Sequence, residues 1–215
     1  MMNKKFLKVL AVAACAVLLV VGSVAGTLAY LTDKTDPITN TFTVGNVEIT
    51  LTEAKVDVYG NPIDDEDNIV ENKAEAPRVN SNKYKLVPGK TYTKDPIVSV
   101  TAGSEACWLF VKVDNGISEI EVDSSSIVSQ MNEKGWTLLA GKTDIYYHAV
   151  VDASNSENDL PVEVFSNFTI DGDKTGENML QYAGKSITVT AYAVQAEGFD
   201  SAAAAWEATF AETQS

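Results

Sequence analysis

Histidine occurs once in this chain of 215 residues and cysteine twice, while 16 Lys and Arg face 30 Asp and Glu. Each shortage closes off a class of function. A lone imidazole rules out any site built on two histidines, and no His-Glu-x-x-His spacing is present. Two cysteines permit at most one bridge, which excludes a disulfide-stapled scaffold. The formal charge of −14, without a basic stripe, is repelled by a phosphate backbone and excludes ordinary nucleic-acid binding. Glycine-rich phosphate loops are missing as well: Pro88-Gly89-Lys90-Thr91 lacks the upstream glycine of a Walker loop and reads as a turn. No Gly-x-Ser-x-Gly elbow accompanies His148, which sits in the strand-like run Tyr146 to Val150. Catalytic and metal-ligating sets are therefore both read as none, and the expectation is a folded domain that is not an enzyme.

What is present begins with an export signal. Lys4, Lys5 and Lys8 precede an apolar run from Val9 to Ala25, and Thr27 and Ala29 supply the small residues a signal peptidase requires. The expected cleavage lies between Ala29 and Tyr30. It removes three lysines and no acid, leaving 13 basic and 30 acidic residues and a charge of −17. Two fates are open to this segment, because the apolar run exceeds a usual signal core and is long enough to stay as an uncleaved membrane anchor. Val12-Ala13-Ala14-Cys15 resembles a lipobox, but the apolar core continues beyond it, so Cys15 reads as a signal residue. Cys107, in Ala106 to Phe110, then remains as a buried, inert thiol.

From Phe42 onward the hydrophobic period is two. Val47, Ile49 and Leu51 alternate with polar residues, as do Val98, Val100 and Ala102, and Leu109, Val111 and Val113 lie opposite Trp108, Phe110 and Lys112. Further strands are expected at 136–139, 145–151, 162–170 and 186–194, with a hairpin at Ala140 to Thr143. Seven or eight strands predict an all-β fold, an antiparallel β-sandwich of the jelly-roll-like or immunoglobulin-like kind. Short connecting helices are expected at 124–133, 175–183 and 201–210. Residues 57–82, with Asp64-Asp65-Glu66-Asp67, Pro62 and Pro77, read as a long exposed acidic loop. The organisation is thus a signal peptide, 1–29, a leader, 30–43, and a sandwich domain, 44–215.

Ligand chemistry is limited. Asp171-Gly172-Asp173-Lys174-Thr175-Gly176 matches the first half of an EF-hand loop, but position 12 is Tyr182 where a bidentate Glu is required. It reads as a polar turn entering a helix and the 64–67 cluster as a solvated charge run, so no cofactor is expected, with weak calcium binding the one alternative. Trp108, Trp136, Tyr146 and Tyr147 are the aromatic residues that a carbohydrate or calcium-dependent binding module would use. Asn167-Phe168-Thr169 fits a glycosylation sequon.

The segments Gly26 to Asp33 and Asn40 to Leu51 together resemble the junction region of the camelysin/TasA family, bacterial proteins processed by a SipW-type signal peptidase. Leu86-Val87-Pro88-Gly89-Lys90-Thr91 is similar to that family's turn leading into its next strand. The resemblance implies a secreted matrix or cell-surface protein that polymerises with itself into biofilm fibres, each mature N-terminal segment adding as a donor strand to the next subunit. Tyr30, Leu31, Ile38 and Phe42 would make that subunit contact, with Pro37 interrupting the ladder once. The other reading of 30–43 is a flexible leader. Camelysin-like metalloprotease activity is a further implication, for which one His and no zinc spacing supply no ligands. A charge of −17 would oppose association at neutral pH and low salt. N-terminal sequencing of the exported protein is expected to return Tyr30 as the first residue; recovery of Met1 would establish the anchor instead.

Overall fold

The computed structural model describes residues 46–174 and 179–210, together with the backbone of 32–34. The signal 1–29, the Ala29/Tyr30 junction, the leader residues Tyr30, Leu31, Ile38 and Phe42, and Thr175 and Gly176 lie outside the described residues.

The runs of period two are strands, and every strand pairing is antiparallel. One sheet runs in the order β1 (Thr32–Lys34), β11 (Ile187–Gln195), β6 (Cys107–Asn115), β8 (Ile145–Val151), β7 (Thr137–Leu138). A second runs β3 (Arg78–Val79), β2 (Ile49–Ala54), β5 (Ile97–Val100), β9 (Leu160–Glu163), and β4 (Thr91–Thr93) pairs separately with β10 (Asn167–Thr169). The chain is therefore all-β with a few short helices. Alternation decides which side each residue serves. Cys107, Leu109, Val111, Val189, Ala191 and Ala193 meet Ile49, Leu51, Val98 and Val100 in a core shared by the two large sheets. Phe110, Tyr192 and Val194 point the other way, into a second core closed by helix α2 (Ala202–Phe210) through Ala202, Ala205 and Trp206. Full burial of Phe110 stabilises the fold by about 1.5–3 kcal/mol.

Local signals explain the connectors. Helix α1 (Ile127–Glu133) starts where the Ser126 side chain accepts from the Ser129 N–H, buries Ile127 and Met131 one turn apart, and gives way to Gly135 at φ +85. The hairpin between β7 and β8 forms as expected. The single strand expected over 162–170 is instead two, β9 in the four-stranded sheet and β10 beside β4. At the break the Gln130 side-chain oxygen accepts from the N–H groups of Ser166 and Asn167, replacing the ladder bonds lost there.

Residues 57–82 are mostly exposed but carry more local structure than a plain loop. Ile63 and Ala76 are buried, and paired bridges at Val56/Pro62 and Ile63/Ile69 fold the stretch back on itself. Its polar residues act as backbone caps: Asp57 accepts from the N–H groups of Tyr59 and Asn61, and Asp64 from those of Glu66 and Asn68. Gly60 seats the loop on the core. It has φ +78, and a Cβ there would lie 2.7 Å from the Tyr92 Cα. Gly141 has nearly the same φ, +79, with nothing within 4 Å. Gly141→Ala is expected to cost only the left-handed backbone penalty, about 1–2 kcal/mol. Gly60→Ala should cost clearly more in denaturant unfolding; equal losses would show that the loop does not depend on this contact.

Candidate functional site

Strand β11 has two edges. On one it forms a nine-residue ladder with β6, from Ile187/Asn115 to Gln195/Cys107. On the other, β1 pairs Thr32 with Val194, Asp33 with Ala193 and Lys34 with Tyr192. Thr32–Lys34 thus join the sheet through main-chain pairing at an edge, the mode by which extended segments add to sheets. Within the single chain, three residues of the segment expected to serve as a donor strand lie on their own sheet.

Beside this edge runs a groove whose walls are Ser186 to Val189 on one side and Leu51, Thr52 and Glu53 of β2 on the other. Its floor holds a buried ion pair, Lys94 Nζ to Glu53 Oε2 at 2.5 Å, with the Asn82 amide donating to Glu53 Oε1 at 2.8 Å. Adjoining it, Asp95, 1% exposed, accepts from the Ala54 N–H at 2.7 Å and from Arg78 Nη1 at 2.9 Å, while Lys73 lies 3.6 Å away. Arg78 Nη2 donates to the carbonyls of Thr52 and Asp95. Lys73 and Lys134 converge on Glu163 at 2.8 and 2.7 Å. Burial alone would raise the Glu163 carboxyl, but hydrogen bonds from Lys134 and Lys73 hold it below its usual range. Charged groups buried this well demand their partners, since removing one leaves the other uncompensated.

Comparison of the chain with protein-family models, with curated proteins and with solved structures gives no match.

The residues singled out from sequence scatter over the fold. His148 sits on β8, half-buried, with its Nδ1 3.0 Å from the Ala149 carbonyl and its ring edge-on to Trp136 at 5.3 Å. Cys107 is fully buried, and burial, aided by Asp152, pushes its thiol up to about 12. Of the four aromatic residues proposed as a ligand platform, Trp136 and Tyr146 are core residues, and the Trp136 indole donates to the Glu163 carbonyl. Trp108 and Tyr147 pack edge-to-face at 6.3 Å against the α2 core. The four do not form one surface. In the 64–67 cluster, Lys55 Nζ donates to Asp67 Oδ1 at 2.7 Å and to the Asp64 carbonyl at 3.0 Å, so an ammonium already fills the turn. Asp171 accepts from the Asp173 N–H. No group of three or more His, Cys, Asp or Glu residues is placed to hold a metal ion among the described residues.

Sequence reasoning missed the buried charges. A signal was available for one: Glu53 continues the inward series Ile49, Leu51, where an unpaired acid would not be tolerated. Its partner Lys94 is remote in sequence and carried no such signal.

A further acid is buried without a cation. Glu121 is 7% exposed; Asn115 Nδ2 donates to its Oε2 at 3.0 Å, while Oε1 has no hydrogen bond. Burial pushes its carboxyl from 4.5 up to about 7, outweighing the hydrogen bonds from Asn115 and the Ile127 N–H. The folded chain therefore holds this proton more tightly than the unfolded one. The associated stability is complete below pH 4.5 and is lost as pH rises through about 7. Unfolding titrations across that window are expected to show Glu121→Gln gaining on the wild type as pH rises; parallel curves would refute the assignment.

Proposed function

We propose that this chain is an exported structural protein whose copies assemble into extracellular matrix fibres by N-terminal strand addition, with a jelly-roll-like sandwich as the body of each subunit. The observation that carries the reading is the seating of Thr32–Lys34 on the edge of β11. An edge strand held through its main chain can be exchanged with the same segment of another copy, because both arrangements make identical contacts. Only the linker geometry and the concentration of chains then decide between a closed monomer and an open series. The junction motif around residues 26–51 and its SipW-type processing support the same reading, since cleavage at Ala29 frees the strand that would be exchanged. The partner is another copy of this chain, the location is outside the cell, and no catalytic step is required. The reading as a monomeric carbohydrate or calcium module loses support from the burial of Trp136 and Tyr146 and from the Lys55 ammonium in the acidic turn.

Opposed residues in an antiparallel pair lie about 4.5–5.5 Å apart at Cα, within reach of a disulfide. In the doubly substituted protein Asp33→Cys/Ala193→Cys, oxidation of assembled material is expected to yield a ladder of covalent multimers on non-reducing gels, growing faster at acidic pH or raised salt. Fibres that release only monomer after oxidation would exclude strand exchange. Absence of any fibre across those conditions would exclude the function.

A further inference from the structure

The groove beside β11 opens into a cavity of about 540 Å³, within the range of small-molecule sites. The apolar part of its lining is formed by Leu86, Ile117, Phe168, Met179 and Ile187 with the ring of Tyr84. The polar groups that reach it are already engaged. The Tyr84 hydroxyl donates to the Thr93 carbonyl at 3.0 Å, that of Tyr182 to Glu119 at 2.7 Å, and Lys94 to Glu53. A ligand placed here gains from burying apolar surface and gains little from hydrogen bonds.

The entrance has a different chemistry. Lys83 and Lys185 line the cavity, and both are exposed. Among the described side chains, eight of the other bases pair with a carboxylate. Lys85 and Lys90 lie over the Tyr59 ring. Lys83 and Lys185 alone have neither kind of partner. In a chain with 30 acids and 16 bases, two unengaged ammonium groups at one opening make a cationic entrance on an otherwise anionic surface.

We propose that this cavity binds a single-chain anionic amphiphile, its hydrocarbon chain in the apolar interior and its carboxylate at the Lys83/Lys185 mouth. Charge complementarity selects the head and the lining selects the tail. The proposal is independent of fibre assembly, since it needs only the folded subunit.

Dodecanoate, kept below its micelle concentration, is the probe. Methyl NMR of Met179 and Ile187 in the full chain reports on this cavity and not on the apolar N-terminal run. Saturable, one-to-one shifts of both signals are expected, with dodecanol at least about tenfold weaker because it offers the lysines no charge. Lys83→Glu/Lys185→Glu should weaken dodecanoate by a similar factor without altering the melting temperature. Leu86→Trp, which fills the interior, should abolish the shifts. Unmoved methyl signals, equal affinity for the alcohol, or indifference to the double charge reversal would each overturn the proposal. So would shifts produced by a synthetic 30–43 peptide and not by dodecanoate, which would make the cavity a strand acceptor.

Discussion

The ladder between β6 and β11 is the contact on which the remainder of the molecule depends. Its nine residue pairs bring together two strands that are buried on both faces over most of their length. Such strands must satisfy two environments at once, and the alternation of Leu109 and Val111 with Phe110 shows how: one face serves the core between the sheets and the other the helix-covered core. The free edge of β11 then carries the leader, and its first residues wall the cavity. A slip of one residue in this register would exchange the two cores and displace both features together.

A second constraint is the disposition of charge. Acids outnumber bases almost two to one, yet most of the described bases are drawn inward or across the surface to particular carboxylates. Asp95 gathers Arg78 and Lys73, Glu163 gathers Lys73 and Lys134, and Glu53 holds Lys94. These nodes tie residues 73–82 to β2 and to the segment around Pro96. What stays outside is a net acidic surface, whose repulsion between copies protons or salt would reduce.

The parts legible from sequence were those governed by local pattern. Leu109, Val111 and Val113 declared one face of β6, Ser126 declared the start of α1, and Cys107 declared a buried thiol. Where a partner distant in sequence decided the outcome, the pattern misled. Residues 162–170 alternate smoothly enough to read as one strand, but Gln130 from α1 breaks them in two. The loop over 57–82 is mostly exposed, but its polar residues gave no sign that Asp57 and Asp64 cap its own backbone groups or that Gly60 packs on Tyr92. Trp136 could be named for an alternative binding module because its burial depends on elements remote in sequence, among them the Glu163 carbonyl to which its indole donates. The edge that seats the leader was foreshadowed only by the junction motif, since a main-chain site leaves no side-chain signature.

Helix α2 has a consequence beyond the core it closes. By laying Ala202, Ala205 and Trp206 over Phe110 and Tyr192, it covers part of the outer face of the five-stranded sheet with a layer of helix. Bare sheets stack face to face at about 10 Å, the spacing that thickens cross-β filaments. This sheet has no bare outer face at that position to offer. A polymer built on the fold would therefore not thicken by stacking sheets through that surface.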